Sequence, residues 1–362
     1  MKRKLAGMVA VVCLAGAGWG LWDLHRPFAG FGGREILVIP SGTGAPAIAD
    51  LLVARGVLAH KWPFLALYGI GRTRHRLRAG EYLFDGPLRP IDVYRKLIRG
   101  DVYLHLVVIP EGSDRFDIAR ILAERMGIEP TDFLRRTEQA SLIRDLDPDA
   151  PSLEGYLFPD TYRFPRLVTA DTVIATMLAR FRHVMQTRFP SEMVPGTGNL
   201  HSVVTLASLV EKETPDPAER PVVAGVFARR LEKGMLLQCD PTVIYAARLV
   251  SHPIPVIHAS DLNSDSPFNT YRHAGLPPGP IANPGESSLR AAFHPASGDE
   301  LYFVSNNHGG HVFSRTLAEH QRNVARYKVE VAASRRKASA FPPITPPSAA
   351  PKGRAPTPKV GG

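Results

Sequence analysis

The sequence predicts an α+β protein made of a single N-terminal transmembrane helix, a small α+β domain over 35–128, a larger α+β domain over 129–332 and a disordered tail over 333–362. Three observations carry that division. Leu5 to Trp22 holds no charged residue and follows Lys2, Arg3 and Lys4. Short β-branched and aromatic runs then alternate with helical periodicities as far as Tyr327. Beyond Ala332 the chain is Ala, Pro, Lys and Arg with no period, a composition that cannot build a packed core.

A length of 362 residues and a hydrophobic content of 44% allow two or three domains with a sizeable core. The formal charge of +10 is spread along the chain and concentrates only at its two ends. An anionic polymer or a membrane surface explains that balance as well as nucleic acid does. No helix-turn-helix, zinc-finger or RNP-like pattern accompanies it, so no nucleic-acid partner is expected. Cys13 and Cys239 stand too far apart in context to make a disulfide framework or a cysteine metal site.

Residues 1–4 are basic and 5–24 form the anchor, with Trp19 and Trp22 at its far end, an order that reads as cytoplasm to exterior. Ala15-Gly16-Ala17 resembles a signal-peptide cleavage site, but an uncleaved anchor is the preferred reading. An internal echo follows. Val38-Ile39-Pro40-Ser41-Gly42 is matched by Val108-Ile109-Pro110-Glu111-Gly112, each leading from a strand through a Gly turn into an amphipathic helix. Between the copies, Ala79 to Phe84 reads as a strand and Pro90 to Gly100 as a helix opened by Pro and closed by Gly. Residues 129–150 read as a helical connector, and Val173 to Arg188 as a covering helix. Leu153 to Phe164 between them combines aromatics, acids and Gly/Pro turns, which suits a ligand-contacting loop or a hydrophobic plug.

The stretch from Val203 to Tyr245 organises the rest. On a helix through Leu206, Leu209 and Val210, Glu213 falls on the apolar face, whereas Glu211 lies over Ala207 and Ser208 and should reach a polar rim. Burial disfavours the ionised carboxylate, so Glu213 should hold its proton above the usual value of about 4.3, as a general acid must. The bland alternative is a buried ion pair with Arg220 or Arg229. Thr214-Pro215 ends this helix. Asp216 and Glu219 then have the spacing of a capping box with Pro217 in the first turn, and the next helix stops near Lys233-Gly234. Leu237 to Tyr245 gathers amide, carboxylate, hydroxyl and phenol groups suited to a sugar, although Asp240-Pro241 could be turn chemistry alone. Ser264 to Pro284 is too rich in Gly and Pro for a long element and should form a rigid polar and aromatic wall. A short helix over Ser287 to Phe293, a strand over Glu300 to Ser305 and a helix over Thr316 to Tyr327 complete the domain. His308 and His311 flank a Gly pair without a third ligand, which favours a turn over a metal site.

Taken together, EGYLFPDTYRF at 154–164, ASLVEKET at 207–214, VFARRLEKGMLLQCDPTVIY at 226–245, NTYRHAGLPPGPIANPG at 269–285 and the YFVS and GGHVFS runs of 302–314 resemble the YceG-like family of bacterial endolytic murein transglycosylases. The resemblance implies a LysM-like domain at 35–128 and a catalytic domain at 129–332 on the outer side of the inner membrane. It implies peptidoglycan glycan strands as substrate, glycan synthases and cell-division proteins as partners, and neither metal nor organic cofactor. The family's essential glutamate falls on Glu213. The side chains expected to hold glycan are Glu154, Phe158, Asp160, Glu211, Gln238, Asp240, Thr242, Tyr245, Asn269, Thr270, Tyr271, Leu276 and Pro277. Cys239 is a departure, because a Thr-like residue is expected after Gln238. Two competing readings stand beside it: a non-catalytic peptidoglycan-binding scaffold and a hydrolytic muramidase, the latter needing a second carboxylate from Glu154, Asp160 or Asp240. Pyridoxal-phosphate chemistry would need a Schiff-base lysine in a phosphate cradle, and none surrounds Lys212 or Lys233.

Overall fold

The structure, a computed structural model, describes residues 2–71, 76–193, 199–254 and 256–339. α1 (Lys2–His25) forms over the basic start and the charge-free run. Among the described residues no helix is long and apolar enough to cross a membrane. The C-terminal end of α1 packs onto the first domain. Trp19 stacks on Trp62 with ring centroids 5.6 Å apart, and the buried Asp23 carboxylate lies 3.4 Å from His60.

Two hydrophobic cores divide the rest. In the first, β1 (Glu35–Ile39) pairs antiparallel with β2 (Gly80–Phe84), Leu37 opposite Tyr82. Strand alternation turns Leu37 and Ile39 inward and leaves Ile36 and Val38 exposed. α2 (Ala45–Ala54), α3 (Trp62–Gly71) and α4 (Pro90–Arg99) cover the inner face with Ile48, Leu52, Phe64, Val93 and Leu97. α4 begins at a proline and ends on Gly100, whose φ of 73° only glycine adopts without strain.

The second copy of the echo builds the same local unit, β3 (Leu104–Val108), a turn through Gly112 and α5 (Arg115–Met126). It does not join the first core. β3 pairs with β4 (Thr161–Pro165), Leu106 opposite Arg163, and Val107, Ile118 and Leu122 pack with Phe133, Tyr156 and Phe181. The two cores part between α4 and β3, inside the stretch grouped as 35–128. A local strand–turn–helix pattern specifies the unit but not which sheet edge its strand completes.

The larger core also holds α6 (Pro130–Thr137), α7 (Ala170–Arg188), α8 (Leu200–Glu213), α9 (Arg220–Glu232), α10 (Asp240–Leu249) and α11 (Glu286–Phe293). The hairpin of β5 (Tyr302–Ser305) and β6 (His311–Ser314) closes one side, followed by α12 (Leu317–Ser339). α8 runs through the middle: Val204 to Val210 are all buried. Asn199 caps its start by accepting from the Ser202 amide, and it ends before Pro215 as expected. The loop at 153–159 is wholly buried, which makes it the plug of the two readings offered.

Two further expectations change. Asp216 and Glu219 form no capping box: α9 starts at Arg220, with Pro221 in its first turn, where the missing amide costs nothing. Glu219 instead accepts from the His311 amide at 2.7 Å and bonds His311 Nδ1 at 2.7 Å, tying the α8–α9 turn to β6. His308 to Gly310 make the hairpin turn, and among the described residues no group of His, Cys, Asp and Glu could hold a metal. The last helix continues to Ser339, past the expected start of the tail, and 340–362 lie outside the described residues.

Candidate active site

Glu213, the last residue of α8, opens into a cleft of about 270 Å³. Gln238, Asp240 and Tyr271 line it, together with Arg230, Leu237, Phe303 and His320. Solvent reaches only part of Glu213, and burial pushes its carboxyl above the ordinary carboxylate range. A hydrogen bond from the Cys239 thiol and the charges of His311 and Arg230 work against that shift, and Asp240 works with it. The bland reading of Glu213 fails on its partners. Arg220 reaches Glu211 at 2.9 Å and Glu111 at 3.5 Å, while Arg229 binds the Ala296 and Glu300 carbonyls at 2.9 Å each. Among the described residues no ion pair engages Glu213.

Glu211 is the reverse of its expectation. Its side chain is 4% exposed, paired with Arg220 and accepting from the Gly285 amide at 2.9 Å. The helical face was read correctly, but Ala207 and Ser208 on it are themselves covered by neighbouring elements, which a helical wheel does not show.

The turn that carries Gln238 is held from behind. Gln238 has a φ of 51°, a left-handed conformation that a non-glycine residue keeps only when its surroundings enforce it. Its amide donates to the Thr270 carbonyl at 3.1 Å, and the Cys239 amide to Thr270 Oγ1 at 2.9 Å. Thr242 Oγ1 donates to the Cys239 carbonyl at 2.6 Å. Asn269 binds the Leu262 and Ser264 carbonyls and accepts from the Tyr271 amide. Thr242, Asn269 and Thr270 are at most 1% exposed, so these three brace the cleft from behind. Tyr271 donates its hydroxyl to Asp240 at 2.5 Å.

The other expected contacts lie elsewhere. Phe158 and Asp160 line a separate cavity of about 420 Å³, where Arg180 sits over the Phe158 ring and bonds Asp160 at 2.6 Å. Pro277 is buried and Leu276 packs against the main core. Glu154 and Tyr245 meet in a buried network: Glu154 accepts from the Arg115 amide at 3.1 Å, Asn283 Nδ2 at 2.8 Å and the Tyr245 hydroxyl at 3.0 Å. Burial, and then the Asp114 charge, push Glu154 up to about 8 against the pull of the Arg115 amide and side chain and of Tyr245. A carboxyl whose pKa is higher folded than unfolded gives stability that is complete below the unfolded value and is lost as pH rises through the folded one. The denaturation midpoint is therefore expected to fall between pH 5 and about 8, and Glu154→Gln to flatten that slope. An unchanged slope in the variant would remove Glu154 as its source.

Arg230 and Phe303 lie inside the 226–245 and 302–314 runs that carry the resemblance, with no spacing that singles either out, and His320 lies outside both. His320 lies on the terminal helix, far along the chain from Glu213, and no spacing rule joins the two.

Residues 37–326 match the YceG-like family. The chain is 34% identical over 305 residues to the endolytic murein transglycosylase of Bacillus subtilis strain 168, covering 80% of this chain and 83% of that protein. It is 28% identical over 318 residues to the endolytic murein transglycosylase of Streptococcus pneumoniae serotype 2 strain D39, spanning 80% of this chain and 57% of that protein. A crystal structure of a yceG-like protein from Listeria monocytogenes superposes with a TM-score of 0.54 at 31% identity, covering 80% of this chain and 98% of that one. A match over this much of the chain, with a fold shared by a solved relative, makes this protein a member of the YceG-like family.

Proposed function

We propose that the chain is an endolytic peptidoglycan lytic transglycosylase, cutting between N-acetylmuramic acid and N-acetylglucosamine with Glu213 as both acid and base. The carrying observation is a glutamate in no ion pair among the described residues, at the edge of a cleft, whose burial favours the protonated form. Protonated Glu213 gives its proton to the glycosidic oxygen as C1 of the muramic acid becomes oxocarbenium-like. The carboxylate left behind then takes the proton of that sugar's 6-hydroxyl, whose oxygen closes on C1. One C–O bond breaks, one forms, Glu213 ends protonated, and no water is consumed.

A hydrolase on the same site would need a second carboxylate across the sugar. Glu154 is committed to its buried network and Asp160 lines another cavity, so Asp240 alone of the three candidates faces the cleft, with Tyr271 bonded to it. Mass spectrometry of uncrosslinked glycan strands digested by the full chain separates the readings. Anhydromuramyl ends, one water lighter than reducing ends, are expected. Reducing ends would make the protein a hydrolase using Asp240, and intact strands a scaffold.

The placement at the inner membrane belongs to the same reading. It is supported by the charge-free run of α1 and by Met8, Val11, Leu14, Leu21 and Trp22, which the fold leaves exposed. Alkaline carbonate is expected to leave the full chain in the membrane pellet; release to the supernatant would sink the anchor.

A further inference from the structure

Two side chains of the cleft are not used by the chemistry above. Arg230 is 7% exposed. Its Nε donates to the Leu301 carbonyl at 2.6 Å and its Nη1 to the Leu236 and Leu237 carbonyls at 3.3 and 2.8 Å, so the guanidinium is fixed in place. No carboxylate is paired with it among the described residues, and Nη2 has no hydrogen-bond partner there. The Glu213 charge acts on Arg230 through space without a hydrogen bond, so Nη2 is left wanting an acceptor.

His320 lies beside it, stacked on Tyr302 at 5.3 Å between ring centroids, and Arg230 sits over that same tyrosine at 5.2 Å. The Nδ1 atom of His320 is buried with no partner. An unpaired acceptor is tolerated better in the interior than an unpaired N–H, so the proton belongs on Nε2. Burial, and then the Arg230 charge, depress the pKa of His320, in keeping with a neutral ring. The Nε2–H therefore has no acceptor among the described residues, and the ring lines the cleft.

We infer that Arg230 Nη2 and His320 Nε2 form a two-donor site for a carbonyl oxygen of the bound sugar, that is, of an acyl substituent on the residue presented to Glu213. The inference rests on the glycan reading of the cleft. Both sugars of murein carry an acetamido carbonyl, and the muramic acid adds the carbonyl of its lactyl group. A rigid pair of donors suits either. A 6-hydroxyl would not need two donors, and a purely apolar subsite would not present two N–H donors without acceptors.

The test measures binding of two soluble oligosaccharides to the full-length Glu213→Gln chain in detergent, which holds glycan without cutting it. Chitotetraose carries acetamido groups only; a tetrasaccharide of alternating N-acetylglucosamine and N-acetylmuramic acid carries both. His320→Phe keeps the stack on Tyr302 and removes the Nε2 donor, whereas His320→Gln returns an N–H near that position. His320→Phe is expected to weaken binding roughly five- to tenfold, the worth of one hydrogen bond, with the Gln variant restoring most of it. Equal loss on both sugars assigns the site to the acetamido group; loss confined to the muramyl sugar assigns it to the lactyl group. Unchanged affinity for both, in a His320→Phe chain that melts with its parent, overturns the site. If the parent binds neither sugar, the glycan reading falls first and takes this site with it.

Discussion

Glu213→Gln is expected to lower the rate of strand cleavage by roughly 10²–10⁴-fold, with the upper end favoured because one group performs both proton transfers. The variant should melt with its parent, since the amide keeps the shape of the carboxyl and an oxygen for the Cys239 thiol. A scaffold would show the opposite pair of results, unchanged behaviour toward the cell wall and a change in stability. The pH profile gives a second signature. The competent enzyme carries protonated Glu213, so activity is lost as pH rises through the pKa of that group. Burial has moved it upward, hence the alkaline limb lies higher than an ordinary glutamate would place it. The Cys239 thiol donates to the carboxylate form and so restrains that shift; Cys239→Ala should displace the limb to still higher pH. A limb that stays in place in Cys239→Ala would mean that it reports a group other than Glu213.

What could be read beforehand, and what could not, follows from the range of the forces involved. The stop at Thr214-Pro215, the Gly100 cap and both strand–turn–helix units depend on residues a few positions apart, and local rules found them. Glu213 was legible because the apolar face of α8 is defined within two turns. The pairing of β3 with β4 was not, because β4 lies inside a stretch punctuated by glycine and proline and its partner stands more than fifty residues earlier. Which polar residues of the 237–271 region face the cleft is not legible in the sequence. Thr242 and Thr270 satisfy each other's neighbourhood at 3.0 Å, as buried hydroxyls must, and only the side chains pointing out of that turn reach the cleft. Arg230 and His320 come from two helices that share no periodic signal, and only the β5–β6 hairpin between them, through Tyr302, brings them together.

The largest loss of stability is expected from Arg220→Met, about 3–5 kcal/mol by chemical denaturation. Its partner explains the size. The Glu211 and Arg220 side chains are 4% and 6% exposed, so removing the guanidinium strands a carboxylate that keeps only the Gly285 amide at 2.9 Å. Glu111, the other acid near Arg220, is half exposed and is solvated without it, so the cost arises at Glu211. The double variant Glu211→Gln with Arg220→Met tests that assignment: the amide still accepts from Gly285 but carries no charge, and most of the lost stability should return. A single-variant cost below about 1 kcal/mol would mean that the pair behaves like a surface ion pair despite its burial. The consequence reaches the active site, because Glu211 is two residues before Glu213 and its bond to Gly285 joins the end of α8 to the start of α11. If the clamp positions Glu213, the repaired double variant should regain stability while retaining a deficit in cleavage; full activity in it would show that the last turn of α8 holds the acid without help from the ion pair.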